Sequence, residues 1–247
     1  MNSQGKRTAV VTGASSGIGA ATAERLAEEG FEVVLGARRL ERVQEIAERC
    51  GGRPIRLDVT DPGSVAELAG SVGNAQVLVN NAGVGLGLET VGELDQDHLR
   101  VMWETNVLGL VNVTKALLPK LEGSGGGHIV NVGSVAGFEV YPGGAGYTAS
   151  KHAVRAITKT LRLELLGKPV RVSEINPGHV STEFASVRFG GDEAKVVRTY
   201  EGFYPLSSQD VADCIAWVVT RPPNVNIDEV VMRSISQATA TTIARSG

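Results

Sequence analysis

Cysteine is nearly absent: Cys50 and Cys214 stand alone in a chain of 247 residues. A disulfide framework is excluded, and a reducing, cytoplasmic setting is the simpler expectation, with a single bridge left open. Histidine is also scarce. His98, His128, His152 and His179 are scattered, so no His/Cys cluster points to a metal. No apolar run approaches membrane-spanning length. Lys6 and Arg7 precede the apolar stretch Thr8–Val11, but this is too short for a signal-peptide core and Gly13 follows closely. Neither charge sign dominates, with 24 Lys plus Arg against 27 Asp plus Glu and a net charge of -3. That balance gives no reason to expect a nucleic-acid or anionic-membrane partner.

What is plentiful is glycine, at 31 residues, much of it at the ends of short β-branched runs. Strands are expected near Thr8–Thr12, Glu32–Leu35, Pro54–Leu57, Val77–Asn80, His128–Val132, Val170–Ile175 and Glu229–Met232. Most are apolar almost throughout, as strands covered on both faces are. Between them, amphipathic stretches predict helices near Gly17–Glu29, Leu40–Cys50, Pro62–Ser71, Asp95–Leu121, Tyr147–Leu166 and Ser208–Thr220. Asp61 before Pro62 reads as a helix N-cap. Alternating strands and helices require right-handed crossovers. The expectation is a single α/β Rossmann domain over residues 1–247, a doubly wound, seven-stranded parallel sheet with helices on both faces. The region 181–205 lacks clear periodicity and is expected to act as a substrate lid.

The turn after the first strand runs Thr12-Gly13-Ala14-Ser15-Ser16-Gly17-Ile18-Gly19. Its glycines allow a tight turn and bring backbone N–H groups at a helix N-terminus close to a pyrophosphate. Gly13, Ser15, Ser16, Gly17, Ile18 and Gly19 are therefore candidate nucleotide contacts. At the end of the second strand a site selective for NAD places an acid against the ribose 2′-hydroxyl. Here stand Arg38 and Arg39. Guanidinium groups bind a 2′-phosphate that a carboxylate would repel, so NADP(H) is the expected cofactor.

Tyr147 and Lys151 are four residues apart, on one face of a helix. A free phenol, with a pKa of about 10, is a poor base at neutrality, and a nearby ammonium favours the phenolate. Ser134 follows the fifth strand, at the edge where open α/β sheets bind ligands, and its hydroxyl suits a developing oxyanion.

In this order and spacing the glycine turn, Asp58-Val59, Asn80-Asn81-Ala82-Gly83, Asn106, Ser134, Tyr147 with Lys151, and Pro177-Gly178 resemble the short-chain dehydrogenase/reductase family over nearly the whole chain. The resemblance implies a hydride-transferring oxidoreductase with Asn106, Ser134, Tyr147 and Lys151 as catalytic residues. It implies that Lys151 also holds the nicotinamide ribose and that Asn106 orders a water linking Lys151 to solvent. Asp58 and Val59 would meet the adenine. Asn80, Asn81, Ala82 and Gly83 would wall its ribose, and Pro177, Gly178, Val180 and Thr182 would fix the carboxamide.

The segment from Thr182 through Arg188 to Tyr200, and the ending Arg221 to Ile227, resemble the NADP-dependent dehydrogenases of serine and other 3-hydroxy acids. Such a substrate needs a cation for its carboxylate. Arg188 is the candidate, with His179 and Arg198 behind it, and a surface salt bridge or an inter-subunit contact is the alternative for Arg188. A broad aldehyde, ketone or 3-oxoacyl reductase stays open as a second activity, and an NADP-sensing regulator as a non-enzymatic one. The helices at 95–121 and 147–166 are apolar on more than one side. The resemblance implies that they pair subunits in a homotetramer or homodimer.

Overall fold

The computed structural model describes residues 7–246, so Lys6 lies outside them. Seven strands form one sheet in the order β3-β2-β1-β4-β5-β6-β7. They are β1 (Thr8–Thr12), β2 (Glu32–Ala37), β3 (Arg53–Arg56), β4 (Val77–Asn80), β5 (Gly127–Val132), β6 (Val170–Pro177) and β7 (Glu229–Met232), and every neighbouring pair is parallel. Strand order reverses between β1 and β4. A crevice opens there at the carboxyl ends, where doubly wound sheets bind ligands.

Strand alternation divides the core in two. Ala9 and Val11 of β1 with Val77 and Val79 of β4 face α1 (Gly17–Glu28), α2 (Leu40–Cys50) and, further along the sheet, α9 (Ser208–Val219). Val10, Leu78 and Ile129 face α3 (Pro62–Ser71), α5 (Gly109–Glu122) and α6 (Ala145–Glu164) on the other side. Both faces of the central strands are dry, hence their unbroken apolar sequences. Asp61 caps α3 through the Gly63 N–H at 2.9 Å, with Pro62 in the first turn.

Two elements differ from expectation. The helix expected at 95–121 is α4 (Gln96–Trp103), a π-helical turn over Glu104–Leu108, and then α5. The cause lies at Asn106, whose amide donates to the Val84 carbonyl at 2.8 Å and accepts from the Val84 N–H at 2.7 Å. That inward pull widens one turn, as at many functional sites. The segment expected to lack regular structure folds as α7 (Phe184–Arg188) and α8 (Glu193–Tyr200), separated by Gly190 and Gly191 at φ 59° and 86°. These helices escape a periodicity reading because they pack over the crevice, not the core, and α8 has no fully buried residue.

Candidate active site

The glycine turn is built against the start of the loop after β4. Gly13 has φ 67°, and a Cβ there would come 2.8 Å from the Ala82 Cα. Thr12 Oγ accepts from the N–H groups of Asn81 at 3.1 Å and Ala82 at 3.0 Å, and the Asn81 amide donates to the Thr12 carbonyl at 3.0 Å. The turn is thus held open ahead of the α1 N-terminus. Gly13, Ser15, Ser16, Gly17 and Ile18 line a crevice of ≈ 740 Å³. Gly19 does not; it packs beneath, where a Cβ would strike Asn81 and the Gly13 carbonyl.

Arg38, Arg39, Asp58, Val59, Asn81, Ala82 and Gly83 line one end of this crevice. Arg39 donates to Ser15 Oγ at 3.0 Å and Ser16 Oγ at 2.9 Å, and binds the Glu183 carboxylate at 2.9 Å. Arg42 binds the same carboxylate. Two guanidinium groups are therefore gathered on one anion, with the serine hydroxyls accepting from Arg39 beside them, and guanidinium groups of this kind suit a phosphate. Burial works against the Asp58 carboxylate, but the Thr60 N–H and hydroxyl, Arg38 and Arg56 outweigh it and hold its pKa below the usual.

Asn80 departs from the role expected for it. It continues the Leu78 face of β4, is 4% exposed, and its amide donates to Thr114 Oγ and Asn131 Oδ1, both at 2.9 Å. Its side chain braces the sheet against α5 and does not line the crevice.

Ser134, Tyr147 and Lys151 meet at the crevice centre. The Ser134 N–H donates to Asn176 Oδ1 at 2.8 Å, and its hydroxyl oxygen caps a short 3₁₀ turn through the Ala136 N–H at 3.1 Å. Tyr147 lies in the first turn of α6. The turn leading to it approaches the chain at Leu88 closely enough that Gly143, at φ 76°, has no room for a Cβ. Desolvation, then the neighbouring Tyr141, push the phenol up to about 12 against the opposing pulls of Ser134 and Arg188. Lys151, one helical turn on, is 7% exposed and donates to the Val132 carbonyl at 2.8 Å, with its Nζ 5.9 Å from the Tyr147 ring centroid. Burial pulls its pKa to about 8, opposed by Glu174. The ammonium is thus beside the phenol but engaged by a backbone carbonyl. Burial of the phenol outweighs the lowering expected from the charges around it. Asn106 stands behind this group, 2% exposed, with its amide also on Ser150 Oγ at 3.0 Å.

At the far end Pro177, Gly178, Val180, Thr182 and Arg188 line the crevice. Arg188 donates from Nε to the Gly87 carbonyl and from Nη2 to the Tyr141 hydroxyl, both at 3.1 Å, and its guanidinium carbon lies 5.3 Å from the Tyr147 ring centroid. Phe184 packs against Tyr147 with ring centroids 5.3 Å apart. Of the reserve candidates, His179 lines the crevice but is held below its usual pKa by burial, and Arg198 does not line it.

Three contributors escaped the sequence reading. Glu183 is one. Tyr141, which orients Arg188, is another. The third is the stretch after β7, which returns across the crevice: Gln237 Oε1 accepts from the His179 N–H at 3.0 Å, and Ala240, Thr241 and Arg245 join the lining. Of these only Glu183 carried a signal, as the acid directly after Thr182, itself a sequence candidate. Among the described residues no group of three His, Cys, Asp or Glu could hold a metal ion, and no helix is long and apolar enough to cross a membrane.

Comparison with known proteins agrees with this geometry. The model of the short chain dehydrogenase family matches residues 7–191. An uncharacterized oxidoreductase of Mycobacterium tuberculosis is 56% identical over 235 residues, covering 95% of this chain and 94% of its own. The NADP-dependent 3-hydroxy acid dehydrogenase of Salmonella typhi is 40% identical over 238 residues, 94% of this chain and 96% of its own. A structure of serine dehydrogenase in its closed form, complexed with NADP+, superposes with a TM-score of 0.92 at 37% identity, over 97% of this chain and 100% of that one. The Ser134, Tyr147 and Lys151 cluster thus sits in a chain that belongs to the short-chain dehydrogenase/reductase family.

Proposed function

We propose that this NADP-dependent oxidoreductase interconverts small 3-hydroxy acids and their 3-oxo counterparts. The observation carrying the substrate class is Arg188, a cation brought by the lid over the Tyr147 ring while tied to Gly87 and Tyr141. A guanidinium at the crevice suits a carboxylate a few bonds from the reacting hydroxyl. The names of the relatives in Salmonella and fission yeast, and of the serine dehydrogenase structure, support the same class.

In this reading Arg38 and Arg39, with Ser15 and Ser16, hold the 2′-phosphate, and Gly13, Gly17 and Ile18 approach the pyrophosphate. Asp58 and Val59 meet the adenine, Asn81, Ala82 and Gly83 its ribose, and Pro177, Gly178, Val180 and Thr182 the carboxamide. The bound cofactor supplies or accepts the hydride. Ser134 donates to the substrate oxygen and stabilises its developing charge. Tyr147 gives that oxygen a proton in reduction and removes it in oxidation. A phenol near 12 is in the donor form at neutral pH. Oxidation needs the phenolate, which cationic neighbours must favour, and Lys151 and Arg188 are the cations beside it.

Residues 1–247 act in this reading as one domain with 181–205 as its lid, in the cytoplasm, where the free thiols of Cys50 and Cys214 are at home. Exposed Trp103 of α4, Leu108 of the π-helical turn and Val111 of α5 support assembly as a homotetramer or homodimer.

The test is a panel of 3-hydroxy acids, plain alcohols, aldehydes and ketones, each with NADP(H) and NAD(H). Turnover of hydroxy acids with NADP+ at rates well above those of alcohols is expected. Alcohols or ketones as the sole substrates would replace this reading with the broad-specificity one.

A further inference from the structure

Below the crevice floor lies a charged side chain that hydride transfer leaves without a task. Glu174, near the end of β6, is 2% exposed, and its Oε1 has no hydrogen-bond partner among the described residues. A carboxylate oxygen left this way is costly unless an opposite charge stands near it.

Its surroundings supply few candidates. The groups acting on it are the Asn176 amide first, then Glu229 from β7 and Arg155 and Lys151 from α6. On β5 its neighbours, Asn131 opposite it in register and Gly133, carry no charge. Arg155 is committed to Glu229 at 2.9 Å, and the Asn176 amide donates to the same Glu229 at 3.0 Å. That pair neutralises itself, and among the described residues acting on Glu174 it leaves Lys151 as the cation without a carboxylate within salt-bridge distance. Lys151 donates to the Val132 carbonyl, while a Cβ on the next residue, Gly133, would come 2.7 Å from Glu174 Oε1. Ammonium and carboxylate thus press on consecutive residues at the end of one strand.

We propose that Glu174 is the buried counter-ion of Lys151, a positioning residue that keeps the ammonium charged in the crevice wall and so supports proton removal by Tyr147. The proposal rests on the reading that Tyr147 and Lys151 move the proton. The charge balance points the same way. Burial pulls Lys151 down to about 8 and Glu174 opposes it, while burial pushes the Glu174 carboxyl up and Lys151 is among the charges opposing that.

Two readouts on E174Q and E174D test it. The first is the pH profile of kcat/KM for oxidation, whose acid limb should move up by about one pH unit in E174Q, an approximately tenfold loss at fixed pH on that limb. E174D should retain most of the native midpoint. The second, in cofactor-free protein, is NMR titration of isotope-labelled lysine assigned through K151R, where the Lys151 midpoint should fall by about one pH unit or more in E174Q. This readout needs no turnover, so a wild type that oxidises nothing sinks the functional reading while the counter-ion is still tested. Should E174Q fail to fold, the reciprocal variant K151M should raise the midpoint of the Glu174 carboxyl. A native Lys151 titration in folded E174Q, or an unmoved Glu174 in K151M, overturns the proposal, as does a rate loss with superimposable pH profiles.

Discussion

Replacing Arg188 by methionine keeps an unbranched apolar stem and removes the guanidinium and its charge. Nε and one Nη2 hydrogen are committed to Gly87 and Tyr141, which leaves the remaining guanidinium hydrogens for a substrate carboxylate. A hydrogen bond to a charged group contributes about 1.5–3 kcal/mol. At ~1.4 kcal/mol per factor of ten, kcat/KM for a 3-hydroxy acid should fall about 10- to 150-fold. A secondary alcohol of equal length without the carboxylate should change by no more than about twofold. Steady-state kinetics on the matched pair, with saturating NADP+, is the assay. Y141F serves as a control, because it removes one partner of Arg188 while sparing the charge, and should keep the preference for acids. Equal losses on acid and alcohol in R188M would show that Arg188 only braces α7 against Gly87 and Tyr141. An acid preference that survives intact would show that another group holds the carboxylate.

Tyr147→Phe should lower kcat by a factor of about 10² to 10⁴ in both directions, while NADPH binding, followed by nicotinamide fluorescence, changes little. R39A should raise the Kd for NADP+ about tenfold or more and leave that for NAD+ nearly unaltered, since charge-assisted contacts to one phosphate are lost; equal weakening of both would place Arg39 away from the 2′-position. His128 is fully buried against Ser173 Oγ at 2.8 Å, and burial lowers its pKa to about 3. An unfolded imidazole titrates at about 6.5, so below that value the unfolded chain takes a proton that the native one refuses. Stability should therefore fall as pH drops from about 6.5 toward 3, by up to ~5 kcal/mol from this group. H128N should flatten that part of the curve in denaturant melts.

The sheet was legible because its strands are dry on both sides and punctuated by glycine. The pairing of Tyr147 with Lys151 was legible because a one-turn helical spacing joins them whatever surrounds them. Charge balance at the phenol was not, because burial and the carbonyl that engages Lys151 belong to tertiary packing. Asn80 and Asn81 look alike in sequence, yet strand alternation puts the former with Leu78 on the α5 side. The returning stretch beyond β7 has no period to betray it. It is ordered by scattered bonds such as that of the Ala240 N–H to Glu139 at 2.5 Å.

The widened turn over Glu104–Leu108 sets a phase between two halves of what could have been one rod. An α-helix advances about 100° per residue. Deleting a single residue there would restore regular pitch and bring the backbone bonds back to their usual spacing. It would also swing everything on one side of the deletion around the axis by that angle. Either Asn106 would leave Val84 and Ser150, or Val113 and Leu117 would leave the sheet. A shortened chain of this kind could keep its fold or its grip on α6, but not both.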